Sequence, residues 1–197
     1  NIIPDSALLQ ISWTKHSDPT THHLTTQLTG EYNFSNVLAA VCIANYFGVD
    51  PKDINEGIKD YAPDNNRSQI EHTDKGNEVI LDCYNANPSS MEAALTNLDH
   101  YPSDKPKIVV LGDMLELGDH SVREHQITID QLASLDLHAI YLVGPEFETP
   151  DLGKVDSSHF QTTADLSDHL SEKQLESSVI LLKGSRKMKL EQLFELL

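Results

Sequence analysis

The chain has 197 residues, of which 39% are hydrophobic, and its formal net charge at pH 7 is −17. Such acidity disfavours binding to nucleic acids or to anionic membranes, because both depend on clustered Lys and Arg side chains. No run approaches the roughly 18 apolar residues of a membrane-spanning helix and no signal-peptide pattern is present, so we expect a cytoplasmic globular protein without membrane insertion.

The first 62 residues are predicted to form strands followed by helices. Residues 33–47 carry apolar side chains at helical spacing, and a second, shorter helix is expected after Pro51. His22 and His23 are adjacent, and neighbouring side chains of an extended segment point to opposite faces, so we expect a solvated turn there rather than a metal site. The sequence places a domain boundary at Pro63. The predicted strands of this part are residues 7–13 and 24–28.

After residue 62, strand patterns alternate with helical patterns. Alternation of this kind predicts an α/β fold, with a mainly parallel sheet covered by helices on both faces. No GxGxxG fingerprint follows any strand, so the fold does not imply a dinucleotide. The predicted strands are residues 68–72, 79–81, 107–111, 139–143 and 179–182, and the predicted helices are residues 88–98, 122–134, 163–170 and 188–196.

The segment 81–91, LDCYNANPSSM, combines the end of a buried strand, a polar loop and an abrupt helix start. Asn87 is expected to cap the helix, with Pro88 at its first position and one apolar face formed by Met91, Ala94, Leu95 and Leu98. An ordinary strand–helix connection explains the cap and the proline. It does not explain polar side chains crowded at the carboxyl end of a strand, where open α/β sheets bind ligands. We therefore predict a functional loop that contains Asp82, Tyr84, Asn85 and Asn87.

An acidic loop follows the predicted strand 107–111 and contains Asp113, Glu116 and Asp119. Carboxylates of this kind are potential ligands for a hard cation such as Mg²⁺. Carboxylates that follow a strand are more often part of a solvated loop, so we assign no metal to these residues.

Ser121 is expected to cap the helix after the acidic loop, because it has capping-box spacing with Glu124. On this helix His125 shares a side with Val122 and Ile129, which predicts that it faces inward. A buried, hydrogen-bonded histidine is the first interpretation, and a role in a site stays open.

Four cations cluster near the C-terminus of this otherwise acidic chain: Lys183, Arg186, Lys187 and Lys189. The pattern places them at the start of a predicted helix, where the helix dipole and free amides disfavour positive charge. A solvated basic patch is one interpretation. Because local conflicts of this kind tend to mark function, we favour an anion site formed by Lys183 and Arg186, suited to a carboxylate or phosphate.

Four segments occur in the order GEYNFSN at 30–36, DCYNANPSSM at 82–91, LGDMLELG at 111–118 and KGSR at 183–186. In this order they resemble the Mur ligase family, and YNANP together with GDMLELG resembles the branch that adds D-alanyl-D-alanine to a peptidoglycan precursor. The resemblance implies that residues 63–197 form the Rossmann-like C-terminal ligase domain. Residues 1–62 would be the end of the central ATP-binding domain.

The resemblance also implies a reaction. Members of this branch use ATP to phosphorylate the terminal carboxylate of UDP-N-acetylmuramoyl-tripeptide, and the amine of D-alanyl-D-alanine then attacks the acyl phosphate to form an amide. The chain lacks a GxxxxGK[ST] phosphate loop and begins with Asn1 rather than Met. We therefore expect a C-terminal fragment that supplies a lid and parts of the sites and is inactive alone, with Mg²⁺ held mainly by the rest of the same polypeptide.

The family pattern assigns individual side chains to two sites. The expected nucleotide-binding residues are Asn33 and Asn36 at the adenine, Arg67 at the phosphates and Asp82 at the ribose hydroxyls. Lys183 and Arg186 are assigned an electrostatic role in catalysis. Tyr32 departs from the pattern, since many members have histidine there. The residues expected to bind the other substrates are Tyr84, Asn85, Asn87, His125, Ser185 and Arg186.

Two other classes of protein stay open at this stage. A ligase of the same superfamily that acts on folate or on another amino acid shares the strand–loop–helix geometry, but is not expected to carry YNANP together with GDMLELG. A non-catalytic Rossmann-like binding module explains the missing phosphate loop without truncation. The parent gene discriminates between them, because an upstream GxxxxGK[ST] motif supports the enzyme and a start codon just before Asn1 supports the module.

Overall fold

The computed structural model describes residues 1–4 and 6–197, which divide into two compact units, Asn1–Asp64 and Asn65–Leu197. Each unit has its own sheet. The sequence places the boundary after residue 62. Assignment of the first unit to the end of an ATP-binding domain stays a prediction.

The first unit packs two helices on a small antiparallel sheet. Its strands, in sheet order, are β1 (Ile2–Ile3), β2 (Gln10–Lys15) and β3 (Asp18–Thr25), and its helices are α1 (Phe34–Tyr46) and α2 (Pro51–Lys59). Trp13, Val37 and Ile54 lie in its buried core. α1 has 13 residues, and no helix in the described part of the chain is long and apolar enough to span a membrane.

The prediction of a solvated turn at His22 and His23 is wrong, because both residues lie within β3. β2 and β3 pair as a hairpin whose turn is at residues 16–17. β2 and β3 lie at residues 10–15 and 18–25, whereas the sequence predicts strands at 7–13 and 24–28. Most side chains of β3 are polar and exposed, so no apolar run marks this strand in the sequence. The His22 ring lies 4.6 Å from the ring of Trp13, between centroids.

The second unit is built on a six-stranded sheet in the order β4-β5-β9-β6-β7-β8. β4 is antiparallel to β5, and every other neighbouring pair is parallel, which confirms the predicted α/β class with a mainly parallel sheet. The strands are β4 (Gln69–His72), β5 (Glu78–Asp82), β6 (Lys107–Gly112), β7 (Ala139–Val143), β8 (Ser158–Phe160) and β9 (Val179–Lys183), and the helices are α3 (Pro88–Asp99), α4 (Ser121–Leu132) and α5 (Thr163–Ser171).

The core of this unit follows the alternation of side chains along the strands. On one face, Val79 of β5 and Ile180 of β9 pack with Leu166 of α5 and Leu190 near the C-terminus. Ile80 is equally buried but points to the opposite face. α3 contacts β9 and packs against α4. Both faces of the sheet are therefore inaccessible to water, and a polar site has to lie at the edges of the sheet or in its loops.

Two features of the second unit differ from the sequence prediction. β8 is not predicted from the sequence, because it has only three residues and is partly polar. The helix predicted at residues 188–196 is instead a pair of 3₁₀ segments, Arg186–Met188 and Leu190–Leu196, separated by Lys189 with a left-handed φ of 54°. Leu190 and Leu193 fill the core from this segment, and an i, i+3 spacing suits a 3₁₀ helix as well as an α-helix.

We expect the two free cysteines to differ in reactivity. Cys42 is exposed, whereas Cys83 is buried and its burial raises the pKa of its thiol to about 12. Because the thiolate is the reactive form, the native chain is expected to consume one equivalent of an aromatic disulfide reagent at pH 8, and two after unfolding in urea. Cys42→Ser should abolish the native reaction, and rapid labelling of that variant would contradict the buried placement of Cys83.

Candidate functional site

The predicted functional loop lies where three neighbouring parallel strands end. β5 ends at Asp82, β9 at Lys183 and β6 at Gly112, and β9 lies between the other two. A Cβ atom on Gly184 would lie 2.9 Å from the Cα atom of Gly112, so the loops after β9 and β6 approach too closely for a side chain at that position. The residues after these strands therefore form one surface at the carboxyl edge of the sheet.

The predicted cap of α3 is confirmed. The Asn87 side chain accepts a hydrogen bond from the Ser90 amide at 2.9 Å, and the Ser90 hydroxyl accepts one from the Asn87 amide at 3.1 Å. Pro88 occupies the first turn. Met91 and Leu95 belong to the predicted apolar face, and both are buried. Asn87 thus has a structural function, while its contact with a substrate stays a prediction.

Lys183 is buried and paired with Asp82. Its ammonium Nζ donates to Asp82 Oδ2 at 2.6 Å, and the two side chains are 1% and 13% exposed. The same Nζ lies 3.4 Å from the backbone oxygen of Asn85. Lys183 therefore ties the end of β9 to the end of β5 and to the loop that follows it.

The premise behind the predicted anion site needs correction. No α-helix begins at the basic cluster, because residues 186–188 and 190–196 are 3₁₀ segments, so its cations do not oppose a helix dipole. Lys183 is neutralised by Asp82 and is not available as a free cation at the surface. Arg186 is 57% exposed, and its Nη1 lies 3.3 Å from Glu191 Oε1.

Tyr84 stands next to two guanidinium groups. The Cζ atom of Arg67 lies 3.8 Å from the centroid of the Tyr84 ring, and the Cζ atom of Arg186 lies 6.0 Å from it. Tyr84 is 40% exposed. Arg67 is also exposed and has no ion-pair partner in the described part of the chain. The structure thus brings together two cations that the sequence assigned to different ligands.

Ser185 connects the loop after β9 to the loop after β6. Its hydroxyl accepts a hydrogen bond from the Leu115 amide at 2.8 Å, and its own amide donates to the backbone oxygen of Asp113 at 3.1 Å. Because Ser185 is itself buried, these bonds fix the KGSR segment against the GDML segment. Arg186 directly follows Ser185, so its backbone begins at a fixed position at the carboxyl edge of the sheet.

The interpretation of the acidic loop as solvated is wrong for Asp113, although Glu116 and Asp119 are exposed. Asp113 is 1% exposed, and its carboxylate accepts the backbone amides of residues 146 and 147 at 3.2 and 3.3 Å. It packs against Gly144, where a Cβ atom would lie 2.2 Å from Asp113 Oδ2. The described residues contain no group of three His, Cys, Asp or Glu side chains able to hold a metal.

Burial raises the pKa of Asp113, and the amide of Glu146 opposes this rise. The carboxyl group of Asp113 therefore has a higher pKa in the folded protein than in the unfolded chain, where it is near 3.8. As the pH falls toward 3.8, the folded state binds this proton first, and the free energy of unfolding increases. Relative to Asp113→Asn, the wild type is expected to gain stability as the pH is lowered from 7 to 4. Urea unfolding of both proteins across this pH range measures the change. If the stability of the wild type relative to Asp113→Asn decreases with falling pH, the hydrogen bonds from the amides lower the pKa of Asp113 more than burial raises it.

His125 is the buried, hydrogen-bonded histidine that the sequence predicts. Its Nε2 accepts from the Met114 amide at 3.1 Å, and its Nδ1 lies 2.8 Å from the backbone oxygen of Ser121. An amide only donates and a carbonyl only accepts, so the ring is neutral with its proton on Nδ1. The Asp113 carboxylate, 3.9 Å from Nε2, is therefore a polar neighbour rather than an ion-pair partner.

Two predictions about α4 are wrong. Ser121 is the first residue of the helix rather than its cap, and His120 caps it without a side-chain hydrogen bond. Ser121 Oγ instead donates to the carboxylate of Glu146. Val122 is 56% exposed, so it does not share the inward face of His125.

Asn33 and Asn36 lie in the first unit, at the start of α1. Asn33 is 7% exposed, and its Nδ2 donates to the Thr29 oxygen at 2.8 Å. Its Oδ1 accepts from Asn36 Nδ2 at 3.3 Å. Asn33 does not cap α1 with its side chain. Asn36, in contrast, is exposed. Their predicted contact with adenine stays a prediction.

The second unit places charged and polar loops at the carboxyl edge of a mainly parallel sheet, and this arrangement defines an α/β domain of the Rossmann-like class. A profile of the family described as "Mur ligase, glutamate ligase domain" matches residues 66–186. The match covers more than half of the chain, and the chain therefore belongs to the Mur ligase family.

Several relatives carry one name, UDP-N-acetylmuramoyl-tripeptide–D-alanyl-D-alanine ligase. The protein from Bacillus subtilis is 31% identical over 84% of the chain, and that from Treponema pallidum is 34% identical over 86%. The matched part spans 38% of the length of each relative. A crystal structure of MurF from Acinetobacter baumannii matches 98% of the chain and 43% of its own, with 30% identity and a TM-score of 0.82.

A folylpolyglutamate synthase from Thermotoga maritima also shares the fold, with a TM-score of 0.62 over 95% of the chain and 44% of its own. Its identity of 15% is too low to carry an argument about function.

Proposed function

We propose that this chain is part of an ATP-dependent ligase that joins D-alanyl-D-alanine to UDP-N-acetylmuramoyl-tripeptide in peptidoglycan precursor synthesis. The observation that carries the proposal is the convergence of three motif-bearing loops, 82–87, 112–115 and 183–186, at the carboxyl edge of one sheet. Relatives that are 31% and 34% identical bear the name of this ligase, which supports the choice of substrates.

On the nucleotide side, the residues present fit ATP. Arg67 is an exposed guanidinium without an ion-pair partner in the described residues, and such a group suits phosphate oxygens. Asp82 would accept hydrogen bonds from ribose hydroxyls, and Lys183 orients its carboxylate. We assign the adenine to Asn36, which is exposed, and Asn33 to positioning of Asn36 through the hydrogen bond between their side chains. Bound ATP supplies the phosphoryl group that activates a carboxylate, with Mg²⁺ held mainly by the rest of the ligase.

The residues that the sequence assigns to the incoming dipeptide fall into two groups, one exposed and one buried. Asn85 and Arg186 are exposed, and Arg186 would bind a carboxylate with its guanidinium edge. Ser185 and His125 are buried with their polar atoms already bonded to the 113–115 segment or α4. We therefore assign Ser185 and His125 to positioning of the loops rather than to direct contact with the substrate.

Phosphate release tests this function in the complete ligase, meaning this chain joined to a segment that carries a GxxxxGK[ST] loop. We expect release to require both UDP-N-acetylmuramoyl-tripeptide and D-alanyl-D-alanine. The 197-residue chain alone is expected to release none, because it has no phosphate loop. Turnover by the isolated chain would contradict its proposed place in a larger enzyme. Turnover with glutamate and a folate, but not with the dipeptide, would favour the other class of ligase.

A further inference from the structure

Arg67 lies in an unusual backbone turn. The residues on both sides, Asn66 and Ser68, have left-handed φ angles of 57° and 51°. Non-glycine residues rarely adopt this conformation, and it persists only where surrounding contacts hold it. One such contact is on the adjacent loop, since the Tyr84 amide donates to the Asn66 oxygen at 3.2 Å. The turn is therefore held against the loop that follows β5.

The same loop supplies a ring for the Arg67 side chain. A distance of 3.8 Å between Cζ and the ring centroid is a close stack. An arginine side chain in water samples many rotamers, and stacking on a ring limits them. Stacking uses the flat face of the guanidinium and leaves its N–H donors, which point outward in the plane, free for an anion. Tyr84 thus restricts Arg67 without occupying its binding edge.

Arg186 relates to the ring differently. Its Cζ atom is 6.0 Å from the centroid, at the outer limit of a cation–π contact, and its guanidinium has the carboxylate of Glu191 as a partner. Loss of the ring should therefore affect Arg67 far more than Arg186.

We propose that Tyr84 is a positioning residue that holds the Arg67 guanidinium flat, so that its edge faces the nucleotide phosphates. This inference rests on the proposed function, in which Arg67 binds those phosphates. Tyr84 then acts through Arg67 on nucleotide affinity, rather than through direct contact with the incoming dipeptide. Its hydroxyl is not needed, because the ring face makes the contact.

The stack itself is tested in the 197-residue chain by NMR. Ring currents should shift the Arg67 side-chain protons upfield in the wild type. Tyr84→Phe is expected to keep the shift, and Tyr84→Leu to abolish it. Unchanged Arg67 resonances in Tyr84→Leu would overturn the inference, provided that the dispersed spectrum shows a folded chain.

The functional effect is tested by ATP titration of the complete ligase, which needs no turnover. Tyr84→Leu should weaken ATP binding about two- to fivefold, the scale of an exposed cation–π contact, and Tyr84→Phe should restore it. In an Arg67→Ala background, Tyr84→Leu should have no further effect, because the two residues act as one unit. Tyr61→Leu removes a tyrosine of the first unit that is 53% exposed, and it serves as the control for the loss of a surface ring.

Two outcomes separate this inference from the proposed function. Additive effects of Tyr84→Leu and Arg67→Ala on ATP affinity, or a raised KM for the dipeptide with unchanged ATP affinity, would overturn the positioning role and leave the ligase reaction intact. A wild-type ligase that binds ATP but does not join the two peptides would contradict the proposed function, while the titrations still decide the role of Tyr84.

Discussion

Lys183→Met is expected to lower the free energy of unfolding of the second unit by about 3 kcal/mol, because it leaves a largely buried carboxylate without its cation. Fully buried pairs lose roughly 3 to 5 kcal/mol when one partner is removed. Asp82 is 13% exposed, which places the expected loss at the lower end. Hydrogen exchange of the β5 and β9 amides as a function of urea measures the change.

Two comparison variants isolate the ion pair in this experiment. Lys187→Met removes an exposed lysine of the same segment and should change stability by less than about 0.5 kcal/mol. Lys183→Met combined with Asp82→Asn removes both charges and should recover part of the loss, since no ion then stays unpaired. If the double variant is less stable than Lys183→Met alone, packing of the lysine stem rather than charge compensation is the main contribution.

Gly144→Ala is expected to cost about 4 kcal/mol of stability. Gly144 has a φ of 117°, and its missing Cβ atom would lie 2.2 Å from Asp113 Oδ2. Such a backbone conformation costs a non-glycine residue on the order of 1 to 3 kcal/mol. Displacing the Asp113 carboxylate also breaks its bonds to the amides of residues 146 and 147, and bonds to charged groups contribute about 1.5 to 3 kcal/mol each.

Gly118→Ala is the matched control for this substitution. Gly118 also has a positive φ, 53°, but nothing lies within 4 Å of its Cβ position. It should therefore show the backbone cost alone, about 1 to 2 kcal/mol. Urea unfolding of both variants gives the comparison, and equal losses would mean that Asp113 moves aside without penalty.

The parts of the fold that the sequence predicts well depend on local chemistry. The cap at Asn87, the proline at position 88 and the apolar face of α3 all lie within a few residues of one another, and all are confirmed. The sequence predicts the parallel strands equally well, because strands that are buried on both faces appear as continuous apolar runs. β3 carries no such run, because most of its side chains are polar and exposed, and it lies at residues 18–25 rather than at the predicted 24–28.

The parts that the sequence could not predict depend on distant partners. Asp113 is buried because a glycine and two amides more than 30 residues later receive its carboxylate. Lys183 and Asp82 are 101 residues apart, and only the sheet order brings them together. Proximity in sequence grouped Lys183 with the other cations of the C-terminal cluster, whereas strand pairing separates it from them.

The position of β9 between β5 and β6 has a consequence for synthesis of the protein. β9 is made after every other strand of the sheet, yet it is the strand that joins the two halves. Until residues 179–183 leave the ribosome, β5 and β6 each present an unpaired edge, which is the feature that makes nascent sheets prone to association. The nascent second unit would thus stay in two parts until its last strand is inserted.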